Sequence, residues 1–152
     1  MLIETGFAQI TQALLWPVLI LVALGFVYAL WSAGVTLMDA LLRRRGRRLL
    51  RATPDCGLEQ LELQLVRQLE PARLLGRVSP LLGLIATMVP LGPALQQVAA
   101  GQGHQALAVF GSAFSGVVLA MSSAAIALVL YSVRRRWLLA ELLDIKKERG
   151  WA

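Results

Sequence analysis

The side chains best placed to do chemistry are hydroxyl groups inside a long stretch that carries almost no charge. Between Arg77 and Arg134, 56 residues include no Asp, Glu, Lys or Arg, and His104 is the only side chain there that titrates near neutral pH. The sharpest candidate in this stretch is Thr87, which lies in a segment that is rich in prolines and small residues. A hydroxyl can join a chain of donors and acceptors that passes protons or ions, or it can simply bond to the preceding turn of its own helix. Since a proton path normally needs a titratable group, any such group must come from a partner.

Signatures of enzymes are absent from the sequence. The chain has one His and one Cys, and it lacks a metal-ligand cluster, a nucleophile elbow and a phosphate-binding loop. We therefore expect no enzyme activity, no cofactor and no metal site. His104 is either a pH sensor or, more simply, an inert loop residue. Cys56 has no possible partner within the chain, so no internal disulfide forms.

The basic residues lie in two blocks. Nine of the 15 Lys and Arg fall in 43–77 and six in 134–149. Because Lys and Arg near the ends of spans stay on the cytoplasmic side, these blocks predict an N-terminus outside and a C-terminus inside. Binding of anionic lipid at the membrane surface is a second interpretation, and nucleic-acid binding is not expected because no aromatic stacking platform accompanies the charges. The membrane-surface basic residues are Arg43, Arg44, Arg45, Arg47, Arg48, Arg134, Arg135 and Arg136.

The composition requires a membrane environment for the helices that hold these residues. With 57% hydrophobic and 16% charged residues, the chain has more apolar surface than a soluble domain of this length buries. A second charge-free run, of 34 residues, separates Glu4 from Asp39. We predict an all-α integral membrane protein with a single membrane domain, residues 1–152. Its parts are spans at about 13–38, 79–97 and 105–131, a cytoplasmic segment at 43–77 and a cytoplasmic tail at 134–152.

The two cytoplasmic segments are predicted to be amphipathic helices. Thr53, Pro54 and Asp55 resemble a helix start, and leucines recur at helical spacing from Leu58 to Leu69. This apolar face must lie on the inner leaflet, on the tail or on another subunit. Pro71 and Gly76 are expected to interrupt the helix before the second span. The last span is expected to continue as a helix until Gly150.

Small residues dominate the second and third spans. Small and hydroxyl side chains are typical of faces where membrane helices pack against helices, whereas prolines within a span indicate burial in protein or a cavity. The predicted packing residues are Gly83, Ala86, Pro90 and Ser122. On the third span, a stripe of mostly small residues joins Ala108, Ser112, Ser115, Leu119 and Ser122.

The stretch from Ser79 to Thr87, SPLLGLIAT, is followed by an outer connection and an alanine-rich third span that ends in arginines. This arrangement resembles the MotA/TolQ/ExbB proton-channel family over roughly residues 70–145, as a compact member of the ExbB and TolQ branch. The resemblance implies a homo-oligomer, a pentameric ring, around single-span partners similar to ExbD or TolR. An intramembrane Asp of the partner carries the proton.

Residue by residue, the family's second-span pore threonine matches Thr87. The family's third-span threonine falls at Val117, and a family glutamate near the outer end of that span falls at Ser112; both are departures from the pattern. Ser115, half a turn from Val117, offers a hydroxyl instead. The resemblance implies a subunit of a bacterial or archaeal inner membrane that couples proton motive force to envelope or outer-membrane transport. The alternatives are a non-conducting membrane scaffold for a single-span partner and a basic membrane-surface recruiter using 43–51.

Overall fold

The computed structural model describes residues 2–44 and 57–150, which form three long α-helices. The helices are α1 (Leu2–Arg44), α2 (Leu58–Ala99) and α3 (Gly103–Glu148). Each is long and apolar enough to cross a membrane, which confirms the all-helical class and the three candidate spans. A bilayer crossing needs only about 20 residues, so helices of 43, 42 and 46 residues extend well beyond it.

The three helices pack side by side, with α2 running opposite to the other two. A tight turn joins α2 to α3, and Gly101 adopts a φ of 78° there, a left-handed conformation that favours glycine. The α2–α3 pair shares the largest interface, and α1 contacts both helices. We call the end with this connection the turn end. The opposite end, which holds Asp39, Arg77 and Arg134, is the charged end.

Small side chains fill most of the interior between the membrane-spanning parts of the helices, and large apolar side chains cover the outside. Buried positions of α3 are mostly alanine, glycine or serine, and α1 contributes Val18, Val22 and Ala29 to the interior. Leucine, valine and methionine side chains are exposed on every helix, and Trp16 and Trp31 are 74% and 73% exposed. Membrane helices associate through close packing of small residues while large apolar side chains meet lipid. The distribution is therefore the one that a lipid environment favours.

The second helix is continuous, so the predicted interruption at Pro71 and Gly76 is wrong. A proline inside a helix costs about 3 kcal/mol, and packing on both sides of Pro71 offsets that cost. Leu69 is buried against the end of α3, and Gly76 faces Leu128. A Cβ added at Gly76 would lie 2.7 Å from the Leu128 Cδ2 atom, so this glycine allows close packing and does not end the helix. The helix also continues through Pro90 and Pro93.

At the charged end, the extensions of α2 and α3 pack against each other. Five buried residues form an apolar cluster there: Leu61, Leu69, Leu138, Leu142 and Ile145. The leucine face of 58–69 is predicted from the sequence to lie on the inner leaflet, on the C-terminal tail or on another subunit. In the structure it contacts the tail, which is the end of α3. The structure also confirms that α3 continues past Arg136, with Gly150 following its end at a φ of 65°. The expected helix start at Thr53 lies outside the described residues.

Candidate functional site: hydroxyl residues of the second and third helices

Thr87 and Ser115 lie at the same height in the bundle. Their chain neighbours, Ala86 and Gly116, meet in the α2–α3 interface, where a Cβ added at Gly116 would lie 3.7 Å from the Ala86 Cβ atom. Ser112 is about one helical turn closer to the turn end. The structure therefore places all three predicted hydroxyls in one section of the membrane-spanning region.

Each of these hydroxyls donates a hydrogen bond to a backbone carbonyl of its own helix. The Thr87 Oγ1 atom lies 2.8 Å from the Leu84 carbonyl oxygen, and the Ser112 and Ser115 Oγ atoms lie 2.8 Å and 2.7 Å from carbonyl oxygens three residues earlier. A hydroxyl has one proton to donate but also two lone pairs. Each oxygen can therefore still accept a hydrogen bond from a group outside the chain.

The predicted stripe of the third span faces outward in the single chain. Ser112, Ser115 and Leu119 are exposed, and Ser122 is half-buried. The buried side of α3 is a neighbouring face, which runs from Ala106 through Ala113, Gly116, Ala120, Ser123 and Ala127. We call the outward face from Ala108 to Ser122 the hydroxyl stripe. No helix of the described residues covers Ser112 or Ser115, so the predicted packing of this face against another helix is not seen within the single chain.

The residues predicted for helix packing occupy two environments. Gly83 and Ala86 are buried in the α2–α3 interface, and a Cβ added at Gly83 would lie only 2.8 Å from the Ala120 Cβ atom. Pro90 is half-buried. Val117, which replaces a hydroxyl residue in the resemblance, is half-buried, and its Cα atom would lie 3.7 Å from the same added Cβ at Gly83.

A buried hydrogen bond between α2 and α3 was missed by the sequence analysis. The hydroxyls of Ser79 and Ser123 are 2.9 Å apart, and both residues are almost fully buried. Ser123 is also 2.8 Å from the Ala120 carbonyl oxygen. The sequence pattern came within one residue of this contact, because the predicted stripe includes Ser122 whereas the buried face of α3 includes Ser123.

An ion pair at the charged end was also missed. The Arg134 guanidinium lies 2.7 Å from an Asp39 carboxylate oxygen, and both side chains are about four-fifths buried. One turn further along, the Arg43 guanidinium lies 5.5 Å from the centre of the Trp137 ring. The sequence held a signal for the ion pair, since Asp39 and Arg134 each end a charge-free run and therefore mark the same level of the bundle.

The predicted basic residues that the structure describes lie on two helices, α1 and α3. Arg135 and Arg136 are exposed on α3, and Arg44 is the last residue of α1. Arg45, Arg47 and Arg48 lie outside the described residues. Among the residues that the structure describes, no group of His, Cys, Asp or Glu could hold a metal ion.

Glu141 is an unusual residue of the apolar cluster. The residue is 7% exposed, and neither carboxylate oxygen has a hydrogen-bond partner among the described residues. A buried polar group without a partner lowers stability by its desolvation cost. The helical spacing that buries Leu138, Leu142 and Ile145 also turns Glu141 inward, so the extension of α3 carries a destabilising group.

The fold and these contacts define a class: a bundle of three candidate membrane helices with hydroxyls on an outward face and an ion pair at one end. Comparison with models of protein families, with curated proteins and with solved structures gives no match. The resemblance to the MotA/TolQ/ExbB family accordingly stands as a hypothesis carried by the SPLLGLIAT stretch.

Proposed function

We propose that this chain is a proton-channel subunit of an energy-transducing complex in the inner membrane of a bacterium or archaeon. Several copies, a pentamer in the family that it resembles, surround a single-span partner of the ExbD or TolR kind. The chain crosses the membrane three times, with its charged end in the cytoplasm. Proton flow through the complex drives transport work in the envelope or at the outer membrane.

The observation that carries the proposal is the outward position of the hydroxyl stripe. Ser112 and Ser115 are exposed at the height of Thr87, in a region of α2 and α3 without Asp or Glu. Exposed hydroxyls gain little from lipid, and they can bond to polar groups of another protein helix. A partner carboxylate next to this stripe would supply the titratable group that the chain lacks.

A second function, that of a non-conducting scaffold, is favoured by a different observation. All three hydroxyls already bond to their own helix, and Val117 has no group that donates or accepts a hydrogen bond. In this case the hydroxyl stripe holds a single-span partner through close packing, and no proton passes.

Purification of the native complex separates these two functions. The full chain should co-purify with a single-span protein that has an Asp within its span, and native mass spectrometry in mild detergent should show several copies of the chain. Vesicles containing this complex should conduct protons, and replacement of the partner Asp by Asn should stop the flux. A complex with the partner but without proton flux supports the scaffold. Monomers of the chain that bind no partner contradict both functions.

A further inference from the structure

We propose that the charged end of the α2–α3 pair carries a specific binding site for the phosphate of an anionic phospholipid of the inner leaflet. The site is a cavity of about 240 Å³ between the two helices. Arg73 and Arg135 line it from opposite helices, together with Tyr131. The proposal rests on membrane insertion with the charged end in the cytoplasm, but not on proton conduction.

The two arginines are available to an external anion. Neither forms an ion pair or hydrogen bond with the described part of the chain, in contrast to Arg134, which is engaged by Asp39. The Tyr131 hydroxyl likewise has no hydrogen-bond partner among the described residues. Two guanidinium groups and a phenol can all donate hydrogen bonds to the oxygens of a phosphate diester. The bonds from the guanidinium groups are charge-assisted and therefore short and strong.

The height of the cavity matches the headgroup region. On α2, Arg73 lies one turn beyond Arg77, which is the last charge before the apolar run, and on α3 Arg135 follows Arg134 directly. One helical turn is about 5.4 Å, so both guanidinium groups lie just outside the hydrocarbon core. Phosphates of the inner leaflet occupy this level, and basic pockets between membrane helices on the cytoplasmic side bind anionic headgroups.

The remaining walls of the cavity explain why an anion would bind there and not only near it. Leu65 and Val66 form an apolar wall beside the two exposed arginines, and the hydrocarbon part of a phospholipid can pack against this wall while its phosphate meets the guanidinium groups. Glu70 also lines the cavity and opposes an anion. With two cations against one carboxylate, the cavity still favours a negative ligand.

The test compares two double variants. Each loses two positive charges, one from α2 and one from α3. Arg73→Gln with Arg135→Gln removes both cavity cations, whereas Arg67→Gln with Lys147→Gln removes two exposed cations that do not line it. The full chain in mild detergent would be titrated with phosphatidylglycerol and with phosphatidylcholine, and bound lipid per chain counted by native mass spectrometry.

We expect the unmodified chain to retain phosphatidylglycerol in preference to phosphatidylcholine. The cavity variant should lose about tenfold in phosphatidylglycerol affinity, the control variant should lose little, and Glu70→Gln should bind more tightly. Equal losses in the two double variants would show unspecific attraction to positive charge and overturn the proposal. Competition by soluble glycerol phosphate at similar concentrations would also overturn it, since the site would then serve a free phosphate ester. Because no partner or proton gradient is used, this result is independent of proton conduction.

Discussion

At the scale of single residues, Thr87 has the atoms to serve either of the two proposed functions. Its hydroxyl proton points to the Leu84 carbonyl oxygen at 2.8 Å, and a longer contact of 3.5 Å reaches the Gly83 carbonyl oxygen. The side chain is half-buried at the edge of the α2–α3 interface. A structural hydroxyl and a proton-relaying hydroxyl respond differently to changes that keep the shape of the side chain.

Replacement of Thr87 by Val keeps the volume and removes the hydroxyl. If Thr87 passes protons to or from a partner carboxylate, Thr87→Val should abolish proton flux in vesicles containing the complex while assembly remains intact. Thr87→Ser should retain much of the flux, because it keeps the hydroxyl. A purely structural hydrogen bond in a membrane contributes only about 0.6 kcal/mol, so a Thr87 with only a structural role predicts a small change in stability and no change in the flux of a conducting complex. Unchanged flux in Thr87→Val would remove Thr87 from the mechanism.

At the scale of helices, the α2–α3 interface includes glycine positions where an added Cβ atom would clash with the facing helix. Gly83 and Ala120 are the clearest pair, with 2.8 Å between the Ala120 Cβ atom and a Cβ built on Gly83. Real Cβ atoms do not approach this closely, so the two backbones must move apart if Gly83 gains a side chain. Gly92, on the same helix, has nothing within 4 Å of an added Cβ.

These two glycines give a matched pair of substitutions. Gly83→Ala should lower the thermal midpoint in detergent, with a cost of about 1–3 kcal/mol from overpacking. Gly92→Ala should leave the midpoint unchanged or raise it, because alanine is about 1 kcal/mol better than glycine inside a helix. Adding Ala120→Gly to Gly83→Ala should restore most of the lost stability, since it removes the opposing Cβ. If Gly83→Ala and Gly92→Ala behave alike, Gly83 is not a close-contact position.

The elements were predictable to different degrees. The three spans could be identified because charge-free apolar runs depend on composition alone, and the continuation of α3 followed from its helical periodicity. The continuity of α2 could not be predicted, because Pro71 is tolerated only through packing of Leu69 and Gly76 against α3, a long-range effect. The buried face of α3 was missed for a related reason. Two adjacent faces of this helix are rich in small residues, and periodicity does not tell which one meets α2.

At the scale of the whole molecule, the contacts bring the basic residues on the three helices to one end. Asp39 of α1 pairs with Arg134 of α3, and Gly76 of α2, next to Arg77, contacts Leu128 of α3. The turn between α2 and α3 lies at the opposite end and carries no Lys or Arg. A single orientation in the membrane therefore satisfies the preference of every basic residue on the described helices for the cytoplasm.

Cys56 offers a direct test of this orientation, because it is the only cysteine and belongs to the segment between α1 and α2. In intact cells or spheroplasts, a membrane-impermeant thiol reagent should leave Cys56 unlabelled until the inner membrane is permeabilised. The matched control is His104→Cys combined with Cys56→Ser, which moves the thiol to the start of α3 beside the turn. That variant should be labelled without permeabilisation. The reverse pattern would invert the molecule and place Arg73 and Arg135 away from the inner leaflet, which would remove the basis of the lipid site as well.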